Sequence, residues 1–154
     1  MRTYTHFLLL FCLWLLSAAD SLAQPYTLRH LGVEDGLSNN YVRDIAQDRQ
    51  GCIWIATELG LNRFDGCNFT TYKSNNTGLS SDALNVLLYD ETENLLWISG
   101  KFKGICALDC STYRFRSYGE AEGANIDNVV HLSHAANEGI WITMHHGDIV
   151  YYDK

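Results

Sequence analysis

Three of the four tryptophans, Trp54, Trp97 and Trp141, stand 43 and 44 residues apart, each in the same short phrase. The phrases are Ile53-Trp54-Ile55-Ala56, Leu96-Trp97-Ile98-Ser99 and Ile140-Trp141-Ile142-Thr143. Six or seven residues later a glycine, Gly60, Gly104 or Gly147, opens a second apolar run. A period near 43 residues built of short strands and turns is the mark of a propeller blade. A blade cannot bury its own faces, so such a repeat must stack on copies of itself. The predicted fold class is all-β: four-stranded antiparallel propeller blades, about three of them, in an incomplete propeller.

One unit reads in full. Val42–Ala46 alternates in part, as a strand should. Asp48-Arg49-Gln50-Gly51 is a tight turn with glycine where φ is positive. Ile53–Ala56 is β-branched and aromatic, Leu61–Phe64 follows, and Asp65-Gly66 signals a hairpin into Phe69–Tyr72. The predicted divisions are a blade at 36–77, a second at 78–122 and an incomplete one at 123–154. An orphan outer strand is predicted at 26–31. In the second unit Asn94 stands at the place of Gly51, and Asn is the next-best residue for a left-handed turn position. Three units cannot close a ring of about 4–8 blades. The expectation is therefore the N-terminal piece of a longer protein. The alternative, a free-standing sheet stack, would leave sticky open edges.

Residues 1–23 read as a secretory signal peptide: Arg2, an apolar run from Phe7 to Leu16, and a small-x-small end at Ser21-Leu22-Ala23. The formal net charge of −7 argues against nucleic acid, which needs a basic footprint. Of the four cysteines past the leader, Cys106 reads as a small core residue. Cys52 and Cys67 are the only plausible disulfide pair. No CxxC occurs, so no zinc site is expected, and no cofactor or other metal is predicted. Asp48-x-x-Gly51-x-x-Trp54 is similar to the Asp-box of sialidase propellers, a structural device there. No pair of carboxylates can be assigned to glycoside hydrolysis.

By repeat register, the connection between the second and third strands carries Glu58 in the first unit, Lys101 and Phe102 in the second, and His145 and His146 in the third. It emerges on the same face as the segments joining consecutive units, which carry Asn39, Asn40, Tyr41, Ser81, Asp82 and Asn128. Function tends to ride on such loops. The ligand-face candidates are Asn40, Tyr41, Glu58, Lys101, Phe102, His145 and His146. Adjacent residues of an extended chain point to opposite sides, so His145-His146 makes a poor shared metal site. Trp54, Trp97 and Trp141 are expected to pack between blades, with Gly60, Gly104 and Gly147 as repeat markers.

The phrase Gly36-Leu37-Ser38, then Asp48-x-x-Gly51-x-Ile53-Trp54-Ile55-Ala56-Thr57, then Gly60-Leu61-Asn62-Arg63-Phe64-Asp65-Gly66 resembles the two-component regulator propeller repeat. The later units are degraded versions: Gly100 replaces Thr57, and Cys106-Ala107-Leu108 replaces Asn62-Arg63-Phe64. The resemblance covers about residues 26–154. It implies the periplasmic sensor half of a Bacteroidetes hybrid two-component system, inner-membrane anchored through a parent that also bears a histidine kinase. It further implies sensing of glycan fragments by an oligosaccharide-binding, non-catalytic module. Its partners would be the remaining blades of the same propeller and a homodimer of the parent. The alternatives are a truncated structural fragment without activity of its own and a piece of a propeller-type glycosidase or lyase.

Overall fold

The computed structural model describes residues 27–119, 125–136 and 139–153. The chain divides into two units, Met1–His30 and Leu31–Lys154. The predicted leader at 1–23 lies outside the described residues. In the first unit only 27–30 are described, and they carry no regular secondary structure. The outer strand predicted at 26–31 is thus not formed where it can be seen, at 27–31; Tyr26 lies outside the described residues. A strand with no ladder partner is not stable by itself.

The second unit opens with a 3-10 turn at Val33–Asp35, followed by three antiparallel sheets. The first holds β1 (Val42–Gln47), β2 (Ile53–Thr57), β3 (Gly60–Phe64) and β4 (Phe69–Tyr72). The second holds β5 (Leu84–Asp90), β6 (Leu95–Gly100), β7 (Ile105–Asp109) and β8 (Arg114–Tyr118). The third holds β9 (Val129–His134), β10 (Ile140–Met144) and β11 (Ile149–Tyr152). Strands follow one another in space as in sequence. The sheets meet along β1, β5 and β9. These are propeller blades, and the all-β fold class holds.

The residues of the first unit show why its motif is what it is. Asp48 is buried and acts as a three-point clamp. Its Oδ1 accepts from the Gln50 and Cys52 amides at 3.0 and 2.9 Å, and its Oδ2 accepts from Trp54 Nε1 at 2.9 Å. Gly51 closes the turn at φ +84. At the other end of the blade, Ser38, Thr57 and Asn62 form a second network. Ser38 N donates to Asn62 Oδ1 at 2.9 Å, Asn62 Nδ2 donates to Ser38 Oγ at 2.8 Å, and Thr57 Oγ1 lies 2.9 Å from Ser38 Oγ. Thr71 Oγ1 also donates to Asn62 Oδ1, at 3.1 Å. A buried amide is tolerated only when its donors and acceptors are met, and Asn62 is fully buried.

The second blade has lost both devices in part. Its turn is one residue longer, and Asp90 Oδ1 takes the Thr92 amide. Trp97 Nε1 is left buried without a hydrogen-bond partner. Cys106 fills the place of Asn62, and burial pushes its thiol up to about 11. Asn94 holds the left-handed position at φ +57, as its place in the repeat predicts.

Between the blades lie two apolar layers of the same design. Trp54, Ala56 and Leu61 of the first blade pack on Leu84, Leu87, Leu96, Ile98 and Leu108 of the second. Trp97, Ile105 and Ala107 of the second pack on Val129, Leu132, Ile140 and Ile142 of the third. Each layer is sealed by an aromatic trio. Trp54–Tyr72 and Tyr72–Phe115 centroids lie 5.7 and 5.9 Å apart, and Trp97–Tyr118 and Tyr118–Tyr152 each 5.4 Å. Trp141 departs from the expected packing role. It is 44% exposed and stacks on Tyr151 of its own blade at 4.8 Å. Trp54 and Trp97 are each covered by the blade that follows, and among the described residues no blade follows the third.

Among the described residues Cys52, Cys67, Cys106 and Cys110 are free, with Cys52 buried and Cys67 exposed. The pairing considered for them is not formed. The Cys52 thiol points to the blade junction, where Arg63 Nη2 donates to its Sγ at 2.9 Å. Cys67 sits at the outer hairpin tip, its amide held by Asp65 Oδ1.

Candidate functional site

Two sets of loops converge on one face. The β2–β3 and β6–β7 turns hydrogen-bond to the segment entering the next blade: Gly60 N to Asp82 O at 2.8 Å and Gly104 N to Ile126 O at 2.7 Å. Within a blade, Lys101 N donates to Ala83 O at 2.8 Å and His145 N to Asn128 O at 3.0 Å. These bonds hold the loop ends in a fixed row and position the side chains they carry.

The candidates separate once placed. Asn40 is structural, its Oδ1 accepting from Val33 N at 3.0 Å. Phe102 turns inward and packs against the first apolar layer, so it is withdrawn from the face. Tyr41 is 71% exposed. Glu58 and Lys101, equivalent positions of adjacent blades, meet across the junction with Lys101 Nζ 3.2 Å from Glu58 Oε2. The same carboxylate is gripped by Arg43 from β1. The Arg43 guanidinium, and after it the Lys101 ammonium, hold the Glu58 carboxyl below its ordinary range.

His145 and His146 flank a shallow cleft of about 340 Å³, completed by Asn85, Asn128, Val129 and Val130. Their rings stand edge to face, 6.0 Å between centroids. The cleft lies at the junction of the second and third blades. A larger cavity of about 460 Å³ opens at the far end of the strands, between the β5–β6 and β9–β10 turns. It gathers none of the candidates. There His134 Nε2 lies 3.1 Å from Tyr89 O, and the buried Asp90 carboxylate serves its own turn.

Sequence reasoning missed Arg43 and Asn85. Each is the extra residue of a β-bulge. The ladder jumps from Val42 to Asp44 in β1 and from Leu84 to Val86 in β5. In β9 the jump is across Val130, between Val129 and His131. A bulge re-aims one side chain and recurs beside functional sites. The three bulges fall at equivalent places of β1, β5 and β9, and two of the bulged residues, Asn85 and Val130, line the cleft. The only sequence signal was the imperfect alternation of these strands. Among the described residues no group of three or more His, Cys, Asp or Glu is placed to hold a metal ion. No helix there is long and apolar enough to cross a membrane.

Residues 36–58 match the family described as two component regulator propeller. The chain carries this repeat. The matched residues include Ser38, Asp48, Trp54 and Thr57, which are members of the two networks above, while Asn62 and Thr71 lie past the match. Over 41 residues, 27% of its length, the chain is 51% identical to Histidine kinase P4 of Formosa agariphila, of which that stretch is 3%. It is also similar to the crystal structure of the extracellular domain of a hybrid two component system from B. thetaiotaomicron. The identity is 34% and the TM-score 0.72, over 84% of this chain and 19% of that one. The chain thus spans about a fifth of that solved domain. The family match falls on the first blade, and the likeness in fold to part of that extracellular domain extends over most of the chain.

Proposed function

We propose that the chain is a periplasmic ligand-sensing propeller module that binds an oligosaccharide without turning it over. The observation that carries this reading is the cleft at the second blade junction. It offers the planar amides of Asn85 and Asn128, the imidazoles of His145 and His146, and the apolar flank of Val129 and Val130. Amides supply paired donors and acceptors for hydroxyl groups, while the apolar wall suits the C–H face of a sugar ring. Such sites are concave and hold a few convergent polar groups. Residues 1–23 would direct export, and the parent would be anchored in the inner membrane and carry the kinase. Further blades of the same propeller would cover Trp141, Ile149 and Tyr151. Binding in the intact sensor, itself a homodimer, would bias a two-state signalling assembly.

Titration calorimetry of the chain against a panel of neutral and acidic oligosaccharides tests this. The expected result is saturable heat with at least one saccharide, and its loss in Asn128→Ala/His145→Ala. A melt as cooperative as that of the parent chain would show that this variant still folds. A panel that gives no saturable heat at all would sink the reading.

A further inference from the structure

On the loop face, cations from two blades meet at one carboxylate. Two cations, Arg43 and Lys101, share the single carboxylate of Glu58. The side chains of Arg43 and Lys101 are 46% and 63% exposed, so both can reach an incoming group. Arg43 sits on a bulge whose counterpart in the next inner strand, Asn85, lines the cleft. The cations and the cleft therefore occupy equivalent places at neighbouring blade junctions. This meeting of cations stands on a chain whose formal net charge is −7. An acidic protein that gathers cations around one carboxylate has built a place for a carboxylate. Exposed pairs of this sort contribute little to stability, so stability alone does not account for the arrangement.

We propose that the ligand is an acidic oligosaccharide whose carboxylate takes the place of Glu58 on Arg43 and Lys101. Glu58 is then an internal stand-in, released when the ligand arrives, while the rest of the saccharide lies toward Asn85 and the His145–His146 cleft. This rests on the saccharide-binding reading above and names the class of saccharide. Guanidinium binds carboxylate through paired N–H donors, and Lys101 adds a point charge from the neighbouring blade. Because the two cations come from different blades, the ligand would bridge a blade junction.

The test uses the full chain with a hexuronate disaccharide, the methyl ester of the same disaccharide, and sodium acetate as probes. The acid should bind, the ester should bind at least about tenfold more weakly, and acetate at equal concentration should not compete. Arg43→Gln and Lys101→Gln should each weaken binding of the acid by about tenfold, with little change for the ester. Glu58→Gln should strengthen binding of the acid by roughly threefold, because it removes the internal competitor without touching the cations. A purely structural role for Glu58 predicts the opposite sign or no change, and either result would overturn the proposal. Equal binding of acid and ester would overturn it while leaving the saccharide reading in place. Competition by acetate would reduce the site to a simple anion site and overturn it likewise. Absence of binding by every saccharide would remove both readings.

Discussion

At the residue scale the chain is governed by a few polar side chains that satisfy buried backbone. Asp48 meets two amides and an indole at once. Asp48→Ala would leave those donors buried and unpaired, at about 2–3 kcal/mol. Urea unfolding followed by tryptophan fluorescence should show the lower midpoint. The reverse experiment is present in nature: Trp97 Nε1 already lacks a partner in the second blade. The tryptophans themselves should differ. Trp54→Ala empties a fully buried site and should cost about 3–5 kcal/mol. Trp141→Ala removes a half-exposed ring and should cost well under half as much. Equal losses would mean that the third blade is packed in solution by something on its open face. The sequence shows all three tryptophans as equivalents, because a repeat register records position and not what lies opposite.

At the element scale the turns decide where strands end. Gly104 sits at φ +88, and a Cβ there would lie 2.0 Å from Tyr118 O. Gly147 has the same φ but open space around it. Gly104→Ala should therefore lower the melting temperature far more than Gly147→Ala, whose cost is the backbone alone, about 1–2 kcal/mol. Thermal melts of the two variants decide it. The hairpin-tip acids add a dependence on pH. Asp109, through Thr112 Oγ1 and then the Ser111 amide, and Asp65, through the Asn68 and Cys67 amides, are held below the ordinary aspartate range. A depressed carboxyl contributes stability that is present above its unfolded pKa and lost as pH falls through the folded value. Stability should thus be flat from neutrality down to the ordinary aspartate range and decline below it. Asp109→Asn should remove part of that decline in acid melts. The Asp65 tip was legible in the sequence, since Asp-Gly is a local code; Asp109-Cys110-Ser111-Thr112 carries no such code. The bulges at Arg43 and Asn85 were not legible either. A bulge is a mismatch between two strands, and neither strand shows it alone.

At the scale of the whole molecule the blades form a chain of half-interfaces. Each presents tryptophan forward and leucine or isoleucine back, and the third presents Trp141, Ile149 and Tyr151 to solvent. Exposed contiguous apolar surface of this kind marks a place meant to be covered. A triple substitution, Trp141→Ser with Ile149→Thr and Tyr151→Ser, should reduce concentration-dependent self-association in sedimentation experiments. The sequence alone determined the blade, its turns and its period, because hydrophobic alternation and turn chemistry act over a handful of neighbouring residues. Only the tertiary structure decided which side chains remain available on the loop face. Phe102 was withdrawn into a core, Asn40 was spent on a turn, and Glu58 was claimed by Arg43 and by Lys101, 43 residues away. Those outcomes depend on residues of different blades being brought within a few ångströms of one another, and no local pattern carries that distance.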